Sequence, residues 1–246
     1  MAEVEPAPRS TTGHSNLTLR WISALVLAPL VLAITYFGGW PFVAFWVIAA
    51  CLVLWEWNTL VRGSGGAATR TLGSFAAWMV AGLLYAGVLA VAPSILRADK
   101  AFGLVAIVFL FAVVWGTDVF AYFVGRAVGG PKLMPAVSPN KTWSGALGGT
   151  LGAVAVGLVV AKIAGVPLTA ALAGMTLLLS VVSQGGDLLE SAIKRHFGAK
   201  DASHLIPGHG GVMDRLDGFL TAVLAAAMVG LLRGGLDAPA QGVLIW

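Results

Sequence analysis

The stretch AFGLVAIVFLFAVVWGTDVFAYFVG, residues 101–125, contains one charged side chain, Asp118. A helix needs about 20 predominantly apolar residues to cross the hydrocarbon core of a bilayer. This stretch is long enough and apolar enough to do so, and its residues from Gly116 onward add polar groups at one end. It therefore predicts a transmembrane helix that carries a carboxylate within the membrane.

The rest of the chain has a similar character. Of its 246 residues, 58% are hydrophobic and only 11% are charged, and the mean hydropathy is +0.89. Soluble domains have about 25% charged residues. A chain with so few charges cannot solvate a globular surface in water, so we predict an all-α polytopic membrane protein.

We expect about seven spans, although a long span such as the second could contain a split or re-entrant segment. Besides residues 101–125, the predicted spans are residues 21–38, 41–60, 72–92, 143–163, 167–189 and 212–232. Residues 1–20 are polar and rich in Pro, Ser and Thr, which is typical of a disordered tail. Residues 21–246 are then a single membrane domain.

The basic residues indicate the orientation of the chain. With the amino terminus in the cytoplasm, eleven of the 15 Lys and Arg residues lie on the inside, as the positive-inside rule requires. The two longest polar connections, residues 126–142 and 190–211, then share the cytoplasmic face. We expect a multi-pass protein of the cell's inner (plasma) membrane whose active site faces the cytoplasm.

Several classes of function are excluded by composition. The only cysteine is Cys51, which leaves no intrachain disulfide and no cysteine-based zinc site. No basic stripe interleaved with aromatic residues is present, so nucleic acid is not an expected partner. Walker, kinase, HExxH and GxSxG motifs are also missing from the sequence.

Carboxylates occur inside or beside the apolar segments at three places, which hold Asp118, Asp187 with Glu190, and Asp214 with Asp217. A charge at the bilayer centre costs at least about 2.5–3.5 kcal/mol, so such residues are functional candidates. Taken singly, each has a structural alternative, such as helix packing for Asp118. Three groups that converge on one membrane face favour a common function.

A magnesium site would resolve the repulsion between these acids. Asp214 and Asp217 lie three residues apart and so share a helix face. Oxygen ligands combined with phosphate substrates are typical of Mg²⁺. The nearby Lys and Arg residues suit phosphate groups. We predict transfer at a phosphate, with a divalent cation held among two or three of the carboxylates of Asp187, Asp214 and Asp217.

Two blocks of sequence resemble one known family. The first comprises SAIKR (191–195), KD (200–201) and IPGHGGVMDRLD (206–217). The second comprises Asp118, Tyr122, GR (125–126), KL (132–133) and SPNKT (138–142). Together they resemble the phosphatidate cytidylyltransferases, or CDP-diacylglycerol synthases, over a catalytic core of about residues 115–218. One departure is Ser144, where that family usually has glutamate.

The resemblance implies a membrane enzyme that joins CTP to phosphatidate and releases pyrophosphate. It implies Mg²⁺ held by the residues that match Asp187 and Asp214, leaves room for a monovalent cation such as K⁺, and implies a homodimer. The expected catalytic residues are Lys194, Arg195, Lys200, Asp201, His209, Arg215 and Asp217. The expected substrate-binding residues are Asp118, Tyr122, Arg126, Lys132, Ser138, Lys141, Thr142 and Ser191.

Two alternatives remain open at this point. Buried acids also mark ion pathways, so a secondary transporter is the alternative from a different class. A related polyprenol or archaeal-lipid enzyme would use the same reaction centre with another lipid. In any of the enzymes, the reactive cavity should open sideways to lipid between the fourth, sixth and seventh spans.

Overall fold

The structure is a computed structural model that describes residues 12–63, 71–206 and 210–246, with side chains from residue 25 onward. Within these residues it contains eight helices and one β-hairpin. The helices are α1 (Thr12–Phe37), α2 (Gly39–Gly63), α3 (Leu72–Ala98), α4 (Gly103–Val128), α5 (Trp143–Ile163), α6 (Ala170–His196), α7 (Met213–Gly234) and α8 (Pro239–Leu244). The hairpin strands are β1 (Lys132–Met134) and β2 (Ser138–Thr142).

The helices confirm an all-α, multi-pass membrane protein. In the described part of the chain, six helices, α2 to α7, are long and apolar enough to cross a membrane. The first predicted span lies in α1, where Leu25–Phe37 forms a shorter apolar helix. The total of seven spans and the orientation of the amino terminus stay predictions.

Two features differ from the sequence-based prediction. Helix α1 begins at Thr12, inside the segment expected to be a polar tail, whereas residues 1–11 lie outside the described residues. Helix α8 was not predicted, because six residues are too few for a periodic pattern. It is held by Asp99, whose carboxylate accepts the N–H of Gln241 at 3.0 Å.

Helices α4 and α5 pack closely because glycines line their contact. A Cβ on Gly145 would lie 2.8 Å from the carbonyl oxygen of Ala121, and one on Gly149 would lie 2.8 Å from that of Thr117. Small residues let membrane helices approach closely, since lipid supplies no hydrophobic force between them. The glycines thus fix the spacing of α4 and α5, two of the helices that bound the site described below.

The centre of the bundle joins α2, α4, α6 and α7. The ring of Phe219 stacks on Trp46 and Phe111, each at 5.0 Å between centroids. Thr117 and Ser180 share a buried hydrogen bond of 2.8 Å between α4 and α6. These contacts fix the register of the helices that carry the acidic residues.

Charged residues cap the helices at one end of the bundle. At the carboxyl end of α3, Arg97 donates to the carbonyl of Thr35 at 2.8 Å, and Asp99 accepts the N–H groups of Ala101 and Phe102 at the start of α4. The two long polar connections, α4–α5 and α6–α7, lie at the opposite end. Their convergence on one face of the bundle agrees with the sequence-based prediction.

The expected topology can be tested with reporters. A reporter inserted near Ala199 should be cytoplasmic and one fused after Trp246 should be external, because these points lie at opposite ends of α7 and the basic residues favour the first end. Accessibility of the reporters to a membrane-impermeant reagent measures this. A cytoplasmic carboxyl terminus would contradict it.

Candidate active site

A cavity of about 670 Å³ opens at the end of the bundle where the long polar connections meet. It is bounded by α4, the hairpin, α5 and α6. Seven of the predicted site residues line it, namely Asp118, Tyr122, Arg126, Lys132, Lys141, Thr142 and Asp187. The cavity therefore brings together residues that are up to 69 positions apart in the sequence. Helix α5, whose glycines bring it against α4, lines this cavity, whereas no residue of α7 does. The expected place of the seventh span beside the reactive site stays a prediction.

Helix α4 provides one wall of the cavity. Asp118, Tyr122 and Arg126 are spaced by four residues and so lie on one face of the helix. The Tyr122 hydroxyl accepts a hydrogen bond from Arg126 at 2.9 Å. Asp118 lies about 15 Å along the axis from the carboxyl end of the helix, at a rise of 1.5 Å per residue. The cavity thus extends well into the depth of the bundle.

The hairpin supplies the cationic side of the cavity. Its strands pair antiparallel, with Lys132 opposite Thr142. Thr142 then caps α5 by accepting the N–H of Gly145 at 3.1 Å. Sequence patterning did not predict this hairpin, because both strands are short and polar. Its effect is to hold Lys132 and Lys141 over the cavity.

Lys141 forms an ion pair with Asp187 of α6. Both side chains are partly accessible, at 30% and 28% exposure. Ser191, one turn further along α6, donates to the other carboxylate oxygen of Asp187 at 3.4 Å. Among the described residues these are the two hydrogen-bond contacts of its carboxylate, which leaves acceptor capacity on its oxygens at the cavity.

Ser144, where the resembling family usually has glutamate, has a structural contact. Its hydroxyl donates to the carbonyl oxygen of Gly129 and lies 3.1 Å from the Thr142 hydroxyl. The serine therefore ties the start of α5 to the end of α4 at the base of the hairpin.

A second group of charged residues, here called the lysine–acid cluster, comprises Lys194, Glu190 and Asp214. The Lys194 ammonium lies 2.5 Å from an Asp214 oxygen and 3.2 Å from a Glu190 oxygen. These side chains are nearly inaccessible, at 11%, 6% and 0% exposure for Lys194, Asp214 and Glu190. Asp214 also accepts N–H groups of Gly211 at 2.8 Å and Ala202 at 3.0 Å. The cluster closes the α6–α7 connection onto the two helices.

The other predicted site residues do not line the cavity. Lys194 is engaged by the lysine–acid cluster, and Arg195 donates to the carbonyl of Ala199 at 3.0 Å. Asp217 lies within electrostatic range of Asp187 and Glu190. Ser138, Ser191, Lys200, Asp201 and Arg215 lie outside the lining as well. His209 falls outside the described residues, and the roles of all these residues stay predictions.

One residue with a prominent place in this region was missed by sequence reasoning. Glu56 of α2 is fully buried and contacts the α6–α7 connection through Ser203 and the first residues of α7. The signal was present, since Glu56 is the one acidic residue in the predicted span 41–60. It was overlooked because it belongs to neither of the two blocks that carry the resemblance.

The acidic residues of the described segments do not form a ready-made metal cage, since no three of their His, Cys, Asp or Glu side chains are grouped closely enough. Mg²⁺, however, is usually held by one or two carboxylates together with substrate phosphates and waters. Asp187, with free lone pairs in the cavity, suits that role. Asp214 has fewer free lone pairs, because four hydrogen-bond contacts already reach its two oxygens.

Comparison with known proteins identifies the family. The model of the cytidylyltransferase family matches residues 66–232. A phosphatidate cytidylyltransferase of Brucella suis biovar 1 (strain 1330) is 42% identical over 262 aligned positions, which cover 92% of this chain and 97% of the relative. One of Brucella abortus biovar 1 (strain 9-941) is 43% identical, covering 89% and 94%. One of Bacillus subtilis (strain 168) is 46% identical over 48% of this chain and 45% of the relative. The chain belongs to the cytidylyltransferase family.

Proposed function

We propose that this protein transfers CMP from CTP to phosphatidate, giving CDP-diacylglycerol and pyrophosphate for phospholipid synthesis. The observation that carries the proposal is the cavity at the end of the bundle, in which cationic Arg126, Lys132 and Lys141 face carboxylates of α4 and α6. The family and the full-length relatives support the same reaction. We further propose that the site faces the cytoplasm from the inner membrane and that the protein is a homodimer.

The cavity suits a reaction between two anions. A phosphatidate oxygen attacks the α-phosphorus of CTP, the bond from that phosphorus to the bridging oxygen breaks, and pyrophosphate leaves with the electron pair. The lipid phosphate is already a competent nucleophile, so no covalent enzyme intermediate is needed. The main task of the protein is to hold two polyanions together, which proximity and cationic side chains accomplish.

The cations of the cavity have distinct tasks in this proposal. Arg126 presents a planar group that can contact two phosphate oxygens at once. Lys141 neutralises Asp187 in the absence of substrate, and we expect it to exchange that carboxylate for a phosphate oxygen when CTP binds. Lys132, on the opposite strand of the hairpin, is placed to contact the second polyanion.

Magnesium belongs to the proposal as a cofactor. Asp187 would hold it from the cavity. Asp214 and Asp217 of α7, which lie outside the cavity lining, are the further ligands expected from the sequence, and a monovalent cation such as K⁺ could accompany the metal. Bound there, the metal would supply positive charge against the leaving pyrophosphate. The free lone pairs of Asp187 support this assignment.

The depth of the cavity is consistent with a lipid substrate. Asp118 lies along a spanning helix, well inside its carboxyl end, so the cavity extends from the polar connections towards membrane depth. Phosphatidate could then react at the interface while its acyl chains stay in the bilayer. The position of the reacting phosphate at the interface does not depend on the length of the acyl chains of phosphatidate.

The proposal is tested by an assay with purified protein in detergent. CTP and phosphatidate with Mg²⁺ should yield CDP-diacylglycerol, separated by chromatography, and chelation of the metal should abolish the product. A polyprenyl phosphate offered in place of phosphatidate should give none. Product from the polyprenyl phosphate alone would identify the related enzyme, and no transfer to either lipid would contradict the proposal.

Asp187→Asn should remove nearly all transfer activity while the protein stays folded and inserted. Asp214→Asn should remove nearly all activity per folded molecule and should also lower stability, because Asp214 pairs with the buried Lys194. Each change keeps the shape of the side chain but removes the charge that a hard cation requires. Asp217→Asn should be milder, with a loss of about 10–100-fold, if that residue acts through its neighbours. Initial rates over a range of Mg²⁺ concentrations measure this, and parent-like rates for the first two variants would refute the assignment.

The two lysines should respond differently to loss of charge. Lys141→Met should reduce turnover strongly with little change in stability, because both members of that ion pair are partly solvated. Lys194→Met should lower stability by about 3–5 kcal/mol, because it leaves Glu190 and Asp214 buried without their partner. Thermal unfolding in detergent and turnover per folded molecule separate these outcomes. A destabilised Lys141→Met and an unaffected Lys194→Met would reverse the interpretation.

A further inference from the structure

Glu56 is a buried carboxylate to which the proposed reaction gives no part. It lies on α2 with no exposed surface, and α2 carries none of the residues that line the cavity. A buried carboxylate is costly unless donors surround it. A residue retained at such a cost within an apolar helix requires an explanation.

The described contacts of Glu56 all lead to the connection between α6 and α7. Oxygen Oε1 accepts the Ser203 hydroxyl at 2.5 Å and the N–H of Val212 at 2.9 Å. Oxygen Oε2 accepts the N–H of Met213 at 2.7 Å. Three donors thus satisfy the carboxylate, and all of them come from a segment about 150 residues further along the chain.

These contacts supply the amino-terminal cap that α7 lacks in its own sequence. The N-cap residue Val212 has no side chain able to accept a hydrogen bond, and none is made from it. The first N–H groups of a helix have no partners within the helix, and a negative charge near them is favourable. Glu56 fills both needs from another helix.

Gly211 shows how closely Glu56 approaches this segment. A Cβ at position 211 would lie 2.6 Å from Glu56 Oε1, so a side chain there would displace the carboxylate. The N–H of the same glycine donates to Asp214 Oδ2 at 2.8 Å. Gly211 is therefore held between two carboxylates, one from α2 and one from α7.

We propose that Glu56 is a positioning residue that fixes the first turn of α7, and with it Asp214, for the transfer reaction. It acts through the N–H groups of Val212 and Met213 and not by contact with substrate. The Asp214 carboxylate is then already in its reactive position before substrate binds. This inference rests on the proposed function, because the benefit of an ordered Asp214 is turnover.

A role confined to overall stability would give a different pattern. Glu56 would then contribute to the folded fraction alone, and each folded molecule of a variant would turn over at the parent rate. Positioning predicts instead a local loosening around Val212 and Met213 and a lower kcat per folded molecule. The KM for CTP should change little, because Glu56 lies away from the cavity.

The variants Glu56→Gln and Glu56→Ala should give a graded loss. Glutamine keeps the volume and one acceptor oxygen, but its amide group faces at least one donor, so we expect kcat to fall by about 10–100-fold, as for partners that act through another residue. Alanine removes both acceptor oxygens, so kcat should fall further than in the glutamine variant. Folded protein is quantified in each sample by size-exclusion chromatography and thermal unfolding.

Three further variants isolate the cap. Ser203→Ala removes one hydroxyl but leaves both backbone contacts, so its kcat should stay within about threefold of the parent, since a surviving cap keeps the helix terminus satisfied. Thr59→Ala, on the same helix as Glu56, removes a hydroxyl whose hydrogen bond among the described residues is to the carbonyl of Trp55 within α2, and it should be neutral. Gly211→Ala places a methyl group against the Glu56 carboxylate, so its kcat should fall about as far as that of Glu56→Gln.

Hydrogen exchange gives a readout that does not depend on activity. In Glu56→Gln, the amides of Val212 and Met213 should exchange at least tenfold faster, while amides in the middle of α7 stay protected. Unchanged exchange at these two amides, or parent kcat per folded molecule in an active parent, would overturn the inference. An inactive parent with faster local exchange would instead contradict the proposed function and leave the cap established.

Discussion

The neutralisation of buried carboxylates at one end of the bundle is the constraint on which the site depends. Acidic groups on α2, α6 and α7 lie among apolar helices, where an unpaired charge is costly. Three arrangements offset these charges: a partly solvated pair of Lys141 and Asp187, the enclosed lysine–acid cluster, and the backbone contacts of Glu56. One oxygen of Glu190 has no hydrogen-bond partner among the described residues. Two of the arrangements join elements that are distant in sequence, the hairpin with α6 and α2 with α7, so the contacts that offset the charge also assemble this end of the bundle.

The two lysine pairs differ in their exposure to a ligand. The pair at the cavity is open to a ligand, and its carboxylate has room for a further partner. The lysine–acid cluster is closed, with Asp214 already holding backbone and ammonium donors. Close packing of α4 on α5 at Gly145 and Gly149 brings together two of the helices that line the cavity. The site thus combines an enclosed group of charges with an ion pair that a substrate can reach.

The sequence predicted the membrane class, six of the long apolar helices and seven of the sixteen residues that line the cavity. The helix predictions succeeded because hydropathy over about 20 residues is a strong signal. The site predictions succeeded because the two motif blocks fix residue types at set spacings. The hairpin at Lys132 and Thr142 and the helix after Pro239 were not predicted, since neither has a periodic pattern. The place of α5 in the cavity wall also escaped prediction, because it depends on how closely two helices approach. Glu56 was missed because its partners are backbone groups, which a sequence motif does not reveal.

The reaction class is tested most directly by the fate of each phosphate of CTP. CTP labelled at the α-phosphorus should transfer its label to the lipid product, and CTP labelled at the γ-phosphorus should release its label as pyrophosphate. This outcome follows if the lipid phosphate attacks the α-phosphorus within the cavity. Label from the γ-phosphorus in the lipid would mean phosphoryl transfer and would contradict the account. Release of either label without any lipid product would contradict it as well.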